Sequence, residues 1–448
     1  MSQTIVVCGA GIAGLTFASA ALLRAKEAGL DHIPRVVVLE KWQVDDPERQ
    51  TSYSHSLSVR SDIDGISALK AIGVFTDFES YATESHSFFA QCNAAAVDVK
   101  VDLARRTGSG KATKWLRVQR FHLWSVLYAA AKRHGAEFRF GWEVANVVIG
   151  AKLAVIGTSG ESIECDLIVA ADGHRSAVRR ALCPSEQLHW LKTLLVGSTI
   201  TLAQLPEYVD RSMPEYVCGH HGFVLPEAGG SSLFVADEGP GKLVVGIGFS
   251  AEAPVSRDVL QRADDAVAVA LRRRLTEMAA AYPAPLCDYI RLLCVESAAA
   301  SRPFVVSCQD KLPHGPTADG RVVFIGDASH AVSPFSGAGA NMALCDAVEL
   351  AACLFPSERH RQIVDVPQAT RCFFAITAAA RTAVITRQRR VIHFFHARDG
   401  ASLFLRNTLL TVVGALLHPT GTQKVIIGGT VAAVLGMVSL AVIRAFVR

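Results

Sequence analysis

The chain has 448 residues, which is too long for one ordinary hydrophobic core and predicts two or more subdomains. Half of the residues are hydrophobic and the mean hydropathy is +0.28, which is high for a soluble enzyme. The formal net charge of +4 is small and scattered along the chain, which argues against a nucleic-acid partner.

The cysteines and the basic residues give no sign of a metal site. Eleven cysteines include no C-x-x-C pair, and most of them, such as Cys8, Cys165 and Cys345, lie in apolar surroundings. They predict reduced core residues of an intracellular protein without a metal ion. The dense basic run at 387–390 predicts a solvated helix face or a membrane-surface contact.

The two ends of the chain differ in character. Ile5–Val7 runs directly into a glycine turn, which predicts a core strand and no signal peptide. Val425–Ile443 comprises nineteen residues without a charge, and Lys424 and Arg444 flank it. That length suffices to cross a bilayer, so we expect a membrane anchor there; a terminal helix buried against the body is the alternative.

A dinucleotide-type turn opens the chain. Thr4–Cys8 is typical of a buried strand, and Leu15–Glu27 is typical of a helix. Between them stand Gly9, Gly11 and Gly14 in a G-x-G-x-x-G pattern. The first glycine makes the turn, the second lets a pyrophosphate approach, and the third lets the helix pack on the strand.

An acidic residue follows at the expected distance. Arg35–Leu39 predicts a second strand, and Glu40 ends it. A carboxylate there can bind the hydroxyls of an adenosine ribose and disfavours a 2′-phosphate. The tightly held nucleotide is therefore expected to be FAD or NAD rather than NADP.

Two later turns carry further candidate ligand contacts. Arg120 begins a predicted helix, Phe121–His134, where a cation is unfavourable to the helix dipole, so it is a candidate for binding a ligand. An ordinary surface arginine is the alternative. Asp166–Ala171 predicts a buried strand, and Asp172 follows it in a turn. This turn either faces a nucleotide or is a plain Asp-Gly turn.

The most informative segment is Arg321–Leu350. Val322–Ile325 predicts a buried strand, and Asn341–Leu350 predicts a helix. The loop between them contains Asp327, Pro334, Gly337 and Gly339. Free backbone amides and the positive end of the helix dipole would bind negative charge there, and the aspartate suits a sugar hydroxyl. An ordinary tight βα connection is the alternative.

The remaining segments predict a second, β-rich subdomain. The stretch 75–101 is irregular and opens it. Strands are expected at 194–202, 223–225, 232–236 and 242–249, a hairpin at 151–156 and 162–165, and helices at 257–282, 347–355 and 367–397. Tyr216, His220 and His221 are polar candidates in this sheet, although core packing or a surface turn is the commoner role of such residues.

Three motifs stand in order along the chain: GAGIAG at 9–14 with Glu40, ADGHRS at 171–176, and GDASHAVSPFSGAGAN at 326–341. Together they resemble the single-component FAD-dependent aromatic hydroxylases of the para-hydroxybenzoate hydroxylase family. The branch that contains fungal secondary-metabolite, tetracycline-inactivating and kynurenine 3-monooxygenases is the most similar. The resemblance covers about residues 1–395 and is weak between 188 and 310. The third motif has Ser329 where the family usually has alanine.

The resemblance implies an α/β fold with a Rossmann-like FAD-binding domain and an inserted β-sheet substrate domain. The expected parts are an FAD-binding domain at 1–186 with part of the substrate domain near 75–110, the substrate domain at 187–312, the second part of the FAD domain with C-terminal helices at 313–400, and a hydrophobic tail at 401–448 with the transmembrane helix near 425–443.

The resemblance also implies a set of cofactor-binding residues. They are Gly9, Gly11, Gly14, Glu40, Arg120, Asp172, Asp327, Pro334, Gly337, Gly339, Ala340 and Asn341. The first three would hold the pyrophosphate and the glutamate the adenosine ribose. Asp172 would contact FAD and transiently NAD(P)H, Asp327 the ribityl or pyrophosphate portion, and Pro334 the isoalloxazine ring. The helix N-terminus at 337–341 would face flavin N1 and O2 and stabilise the reduced flavin.

The implied activity is a monooxygenase that hydroxylates or epoxidises a hydrophobic small molecule with O2. NAD(P)H would be a transient co-substrate, a C4a-hydroperoxyflavin would carry the oxygen, and no catalytic side chain is identified. The tail would anchor the enzyme to the endoplasmic reticulum or the mitochondrial outer membrane, with the catalytic domain in the cytosol. The alternatives are a kynurenine 3-monooxygenase-like hydroxylase, a flavin reductase or halogenase of the same fold, and a flavin-binding membrane scaffold. The halogenase is disfavoured because a G-W-x-W-x-I-P motif is absent from the sequence.

Overall fold

The structure is a computed structural model that describes residues 3–45, 56–92, 98–103, 113–262, 264–294, 302–356 and 365–417. The strands in this part of the chain are β1 (Thr4–Cys8), β2 (Arg35–Glu40), β3 (Ser56–Arg60), β4 (Thr83–Ser85), β5 (Ser87–Cys92), β6 (Asp98–Asp102), β7 (Trp115–Gln119), β8 (Glu137–Phe140), β9 (Val144–Ile149), β10 (Leu153–Gly157), β11 (Ser162–Cys165), β12 (Leu167–Ala170), β13 (His189–Thr201), β14 (His220–Leu225), β15 (Ser231–Asp237), β16 (Lys242–Ser250), β17 (Phe304–Asp310) and β18 (Val322–Phe324). The helices are α1 (Ile12–Glu27), α2 (Gly65–Ala71), α3 (Phe75–Glu79), α4 (Arg120–His134), α5 (Ala177–Leu182), α6 (Ala266–Ala279), α7 (Leu286–Leu292), α8 (Gly339–Leu354), α9 (Val366–Phe395) and α10 (Gly400–Leu417).

A five-stranded parallel sheet carries the three predicted motifs. Its strand order is β18-β12-β1-β2-β8, and every neighbouring pair is parallel. The central strands are apolar and buried because helices, including α1 and α8, pack against them. The carboxyl ends of parallel strands lie at one edge of the sheet, so the loops after β1, β12 and β18 meet there with the end of β2. This arrangement confirms the Rossmann-like expectation.

A seven-stranded, mostly antiparallel sheet forms the second subdomain. Its order is β17-β13-β16-β15-β14-β5-β6, and it contains the strands predicted between 194 and 249. The expectation that 75–101 is irregular is wrong, because β5 pairs in parallel with β14 and antiparallel with β6. These partners are distant in the sequence, so the local pattern does not show the pairing.

The expected helix at 257–282 is also wrong in its extent. A short 3-10 turn occupies Val259–Gln261, and α6 begins only after Asp265. The Asp265 carboxylate caps that helix, since it accepts hydrogen bonds from the amides of Val267 (2.8 Å) and Ala268 (3.4 Å). The predicted hairpin is confirmed as β10 and β11, which pair antiparallel.

Two side chains of the run at 387–390 contact the body of the protein, whereas Arg390 is exposed. The run lies in α9, where Arg389 donates two hydrogen bonds to the buried carboxylate of Asp310 (2.7 and 2.6 Å). Gln388 is buried, and its Nε2 donates to the carbonyl of Ser333 (2.6 Å). The expectation of a solvated face or membrane contact is therefore wrong for these two side chains.

The C-terminal helix α10 is attached to the body through a buried arginine. The Arg406 guanidinium donates to the carbonyl oxygens of Pro226 (2.6 Å) and Phe395 (3.3 Å). Within the described ranges, no helix has the length and apolar composition needed to span a membrane. The predicted anchor at 425–443 lies outside the described residues, so it stays a prediction.

Candidate active site

The carboxyl edge of the five-stranded sheet brings the predicted motifs together. The amide of Gly9 donates to the carbonyl of Leu39 (2.8 Å), so the first glycine turn lies against the end of β2. A Cβ atom built at Gly9 would lie 2.5 Å from the carbonyl oxygen of Ala171, which shows how closely the turn approaches the loop after β12. The amide of Ile325 donates to Ala170 (3.0 Å) and brings the third motif alongside. Segments far apart in the chain thus form one continuous face.

The three glycines of the first turn meet different constraints. Gly9 has φ +105°, a left-handed conformation that favours glycine. At Gly14 a Cβ atom would lie 2.0 Å from the carbonyl oxygen of Gly9, so α1 packs too closely for any side chain. A Cβ atom at Gly11 would meet nothing within 4 Å. Gly11 is the residue directly before α1, and it has no side chain that could cap the helix. The first amides of α1 are therefore available to an anion.

Glu40 lies at the end of β2, as predicted, and is buried. Its Oε2 accepts a hydrogen bond from the amide of Ala10 (2.9 Å), and its Oε1 accepts one from the amide of Trp42 (3.1 Å). The carboxylate therefore holds the glycine turn in place. Each oxygen retains a second acceptor position, which suits the expected contact with ribose hydroxyls.

Arg120 begins α4, as predicted, and this helix touches the glycine turn. The indole Nε1 of Trp124 donates to the carbonyl of Ala10 (2.8 Å). Arg120 lies one turn before Trp124 and so on the same side of the helix. The pKa of His174 is lowered, mainly by burial, and the positive charge of Arg120 lowers it further. The Arg120 guanidinium therefore lies near the 171–176 turn.

Asp172 follows β12, and one of its oxygens has a structural role. Oδ2 accepts from the amides of Ala177 (2.7 Å) and Val178 (3.1 Å) at the start of α5. Oδ1 is buried and has no partner in the described part of the chain. Burial raises the pKa of Asp172, although the hydrogen bonds from α5 oppose the rise. The unpaired oxygen suits a ligand hydroxyl, because buried acceptors are rarely left without a donor.

Asp327 lies in a 3-10 turn, Gly326–Ala328, directly after β18. Gly326 has φ +56°, and a Cβ atom there would lie 3.0 Å from Ala13, so the turn packs tightly on α1. The Arg179 guanidinium donates to the carbonyl of Ala328 (2.7 Å) from the other side. The turn is therefore fixed, while the half-buried Asp327 carboxylate has no hydrogen bond within the described chain.

A buried network beneath this turn was missed by the sequence analysis. One oxygen of Asp346 accepts from the amide of Gly326 (2.8 Å) and from Nε2 of His330 (2.6 Å), and the other accepts from Nε of Arg381 (2.9 Å). Burial acts to raise the pKa of Asp346, but these cations hold it below its ordinary value. Helical spacing alone does not reveal a carboxylate that supports a loop twenty residues earlier.

The contact between His330 and Asp346 also shifts the pKa of His330. Burial acts to lower the pKa of His330, but the Asp346 carboxylate raises it above the ordinary 6.5. A raised value in the folded state means that protonation stabilises the fold. The contribution is fully present below pH 6.5 and is lost as the pH rises through the raised pKa.

The third motif ends in a second turn and a helix start. Pro334 begins a 3-10 turn that ends at Ser336, and Gly337 adopts φ +59°. Helix α8 begins at Gly339, followed by Ala340, and it has no side-chain cap and no acidic residue in its first turn. Its first amides are therefore available for the developing negative charge of a ligand.

Asn341 links this helix to β3, a strand of the three-stranded sheet β3-β7-β4. Its buried side-chain amide accepts from the amide of Arg60 (2.8 Å) and donates to the carbonyl of Ser58 (2.8 Å). The Arg60 guanidinium in turn lies 3.6 Å from the ring centroid of Trp115 and donates to the carbonyl of Ser336 (3.4 Å). The side chain of Asn341 is thus occupied by β3, so any cofactor contact here would involve the backbone.

An aromatic cluster lies between the Pro334 turn and the seven-stranded sheet. It consists of Phe88, Trp115, His221, Phe223, Phe234 and Phe335. The rings of His221 and Trp115 stack with centroids 4.6 Å apart, and those of Phe223 and Phe335 with centroids 6.2 Å apart. Both ring nitrogens of His221 and the Nε1 of Trp115 are buried without a hydrogen-bond partner in the described chain. Such atoms are expected where water or a ligand binds.

Arg117 borders this cluster from β7. Its guanidinium lies 5.3 Å from the ring centroid of Phe234, donates to the hydroxyls of Ser58 (3.2 Å) and Ser56, and has an unpaired Nε in the described chain. Burial lowers the pKa of Arg117 to about 10, against the opposing charge of Glu238, so the group stays protonated at neutral pH. Sequence analysis missed it because its position depends on strand pairing.

One of the three predicted polar candidates lies in the cluster. Burial, with the charge of Arg117, lowers the pKa of His221 well below its ordinary value, so the ring is neutral at pH 7. His220 is the preceding residue of β14 and points to the opposite face of the sheet. Tyr216 packs edge-on against Phe89 with centroids 5.6 Å apart, also outside the cluster.

A surface cavity of about 320 Å³ lies at the other edge of the five-stranded sheet. Gln3, Asp166 and Arg321, which line it, immediately precede β1, β12 and β18. The cavity is therefore at the amino ends of the strands and does not include the predicted site residues.

Comparison with known proteins agrees with this geometry. The sequence matches the family described as the FAD binding domain over residues 2–223 and 315–364. It is similar to the monooxygenase cfoF of Aspergillus candidus, with 29% identity over 373 residues that cover 78% of this chain and 82% of cfoF. The 2-heptyl-3-hydroxy-4(1H)-quinolone synthase of Pseudomonas aeruginosa is 26% identical over 309 residues, 68% of this chain and 71% of the synthase. The fold is similar to that of HpxO of Klebsiella pneumoniae, solved with FAD and uric acid (TM-score 0.70, 20% identity, 97% of this chain and 96% of HpxO).

The residues at the carboxyl edge fit FAD. The diphosphate requires backbone amides at a helix N-terminus, which α1 offers on the open side of Gly11. The ribose and ribityl hydroxyls require acceptor oxygens, which Glu40, Asp172 and Asp327 offer. The assignment of each residue to one part of FAD stays a prediction.

Two glycine variants separate cofactor binding from folding. Gly11→Ala should leave the free energy of unfolding within about 0.5 kcal/mol of the wild type and weaken FAD binding about tenfold or more, because the methyl group fills the open side. Gly14→Ala should destabilise the fold by about 1–3 kcal/mol, because the new Cβ meets the carbonyl of Gly9. Urea unfolding and FAD titration measure both effects. Wild-type FAD affinity in Gly11→Ala would contradict the assigned pyrophosphate site.

A second pair of variants tests the network under the Asp327 turn. Asp346→Asn should lower the free energy of unfolding by about 3 kcal/mol, because His330 and Arg381 lose their buried counter-charge. Glu349→Gln is the matched control, since Glu349 also pairs with Arg381 (2.8 Å) but is partly exposed, and it should cost at most about 1 kcal/mol. Urea unfolding at pH 6 measures both variants. Equal decreases in the free energy of unfolding would show that the buried Asp346 stabilises the fold no more than the partly exposed Glu349.

Proposed function

Since the chain belongs to the FAD binding domain family and is an FAD-dependent monooxygenase, we propose the class of its substrate and of its electron donor. The substrate is a hydrophobic aromatic molecule that carries an ionisable oxygen, and the enzyme inserts one oxygen atom of O2 into its ring. The donor is NAD(P)H. Ring hydroxylation is favoured over epoxidation because the cluster beside the Pro334 turn is aromatic.

The observation that carries this proposal is the set of unpaired polar atoms in the aromatic cluster. His221 and Trp115 present three buried ring nitrogens without partners in the described chain, and Arg117 presents an unpaired Nε. Aromatic walls favour a flat apolar ring, which stacks on them with little loss of conformational freedom. The unpaired atoms favour a ligand that brings hydrogen-bonding groups into this apolar setting.

The charges of the cluster indicate which group the ligand brings. Arg117 is cationic at neutral pH and forms no ion pair in the described part of the chain, although the carboxylates of Glu238 and Asp237 act on it from nearby. Arg60, in contrast, is paired with Asp62. A phenolate, enolate or carboxylate oxygen would balance the charge of Arg117. The neutral ring of His221 can donate from one nitrogen and accept at the other, and so can hold the proton of a ring hydroxyl. An ionised ring oxygen also makes the ring more electron-rich, which favours attack on an electrophilic oxygen.

The remaining work of the protein is to position the reactants and exclude water. When bound, FAD stores the electrons of the nicotinamide and activates O2. The uncapped N-terminus of α8 would stabilise negative charge on the reduced ring, and Phe335, next to Pro334, would close the apolar side of the site.

A second candidate is an aromatic amino acid hydroxylated in the manner of kynurenine. Arg117 favours it as well, because a guanidinium binds a carboxylate as readily as a phenolate. A panel of substrates that contains hydroxyquinolones, phenols and kynurenine separates the two. Turnover of kynurenine alone would favour the amino acid.

Anaerobic mixing tests the proposed donor and reaction. NADPH or NADH should bleach the oxidised flavin band, and a substrate from the panel should accelerate the bleaching. Admission of O2 should then yield a product that is heavier by one oxygen atom, detected by mass spectrometry. A bound flavin that neither nicotinamide reduces, with or without the panel compounds, would contradict the proposal.

An arginine variant tests the substrate-binding role of the cluster. Arg117→Gln should raise KM for the substrate about tenfold or more with FAD retained, because it removes a charge-assisted hydrogen bond of about 1.5–3 kcal/mol. Arg274→Gln is the control, since Arg274 also lies over a phenylalanine of the same sheet, 4.8 Å from the Phe249 ring centroid, but outside the cluster. Steady-state kinetics measure both, and an unchanged KM in Arg117→Gln would remove the arginine from the substrate site.

A further inference from the structure

A second polar cluster lies at the end of α5, where His314 is hydrogen-bonded to Ser329 in the segment that follows the Asp327 turn. It consists of Cys183, Glu186, Lys311 and His314. Cys183 directly follows the helix, and its amide donates to the carbonyl of Arg179 (2.7 Å). Cys183, Glu186 and His314 are each partly accessible to solvent, so small molecules can reach the cluster.

The imidazole of His314 contacts both Cys183 and Glu186. The Sγ of Cys183 lies 3.5 Å from Nε2 of His314, and Nδ1 of the same ring lies 2.9 Å from Oε1 of Glu186. One ring nitrogen of His314 thus contacts the thiol, and the other contacts the carboxylate. A base that contacts both a nucleophile and an orienting group in this way can activate the nucleophile.

Two cations lie near the thiol of Cys183. Lys311 is bonded to Glu186, and both Lys311 and Arg179 interact electrostatically with Cys183. Nearby cations stabilise a thiolate, which is the reactive form of cysteine. Burial, with the charges of Lys311 and Arg179, lowers the pKa of His314, so the ring is neutral at pH 7 and free to accept a proton.

We propose that Cys183 is a reactive thiol, activated by His314 and Glu186, and a modification site for hydrogen peroxide and small electrophiles. With peroxide, Nε2 of His314 accepts the thiol proton and the sulfur attacks one oxygen. The O–O bond breaks as the S–O bond forms, and the departing hydroxide takes the proton from His314 to leave as water. The sulfur is oxidised by two electrons to a sulfenic acid, and the peroxide is reduced.

One ligand atom from each of Cys183, Glu186 and His314 lies within 4.8 Å of the others, so the spacing alone would also allow a metal ion. The positive charges of Lys311 and Arg179 nearby oppose a divalent cation and favour the reactive thiol. Purified protein with one zinc ion per chain that is lost in Cys183→Ser would overturn the proposal.

The experiment compares two cysteines of the same protein. Cys218 is exposed and has no hydrogen bond to its thiol in the described chain, so accessibility alone predicts that it reacts faster than Cys183. The holoenzyme is treated at pH 7 with limiting iodoacetamide, and separately with peroxide and a sulfenic-acid trap, and the modified peptides are quantified by mass spectrometry. Cys183 should react about tenfold or more faster than Cys218. Equal or slower reaction at Cys183 would overturn the proposal.

Variants then test the relay. His314→Gln should reduce the reaction rate of Cys183 to that of Cys218, and Glu186→Gln should reduce it less, with Cys218 unchanged in both. If His314→Gln does not fold, the rate is followed from pH 5 to 9 in the wild type and in Glu186→Gln. At each pH Cys183 should then react faster than Cys218 in the wild type, and this difference should be smaller in the variant. Unchanged rates or coincident pH profiles would contradict the relay.

Discussion

The close approach of α1 to the turn that precedes it is the constraint on which the site depends. The carbonyl of Gly9 occupies the place where a side chain at Gly14 would stand, so helix and strand meet backbone to backbone. Two further segments contact the same region. Gly326 packs on Ala13, and Trp124 donates a hydrogen bond to the carbonyl of Ala10. The turn after β1, the turn after β18 and helix α4 therefore converge on one helix N-terminus. Negative charge is favoured there because backbone amides without partners point out of the helix end.

Specific contacts join the start of α8 to the aromatic cluster. Asn341 binds β3 from the start of α8, and Arg60 extends this link by stacking on Trp115 and bonding to Ser336. The aromatic cluster is thus continuous with the turn that contains Pro334. A ligand that displaced Trp115 or Arg60 in the cluster would therefore also act on the start of α8 through Ser336 and Asn341.

The sequence predicts the parts of the fold that depend on local chemistry. The glycine turn, Glu40, Asp172 and Asp327 all occupy the strand ends where their motifs predict them, because each motif contains its own strand and turn signals. Asp265 shortens a predicted helix through a cap that is also local, because an aspartate directly before an apolar helical run is a helix start signal.

The parts that the sequence does not predict depend on distant pairing. β5 joins the large sheet only because β14 lies beside it, and Arg117 and His221 meet only because their strands belong to adjoining sheets. Asp346 supports a loop that precedes its own helix, and Cys183 meets His314 across a gap of 131 residues. One sequence contains no signal for such pairs, because neither partner has an unusual neighbourhood.

The site and the proposed reaction both require FAD at the carboxyl edge of the five-stranded sheet, and calorimetric titration of FAD into the flavin-free protein tests this most directly. We expect saturable binding of one FAD per chain, with competition from ADP, because ADP would occupy the glycine turn and Glu40 in place of the same part of FAD. A folded protein that shows no saturable binding of FAD would contradict the assignment of the site and, with it, the proposed reaction.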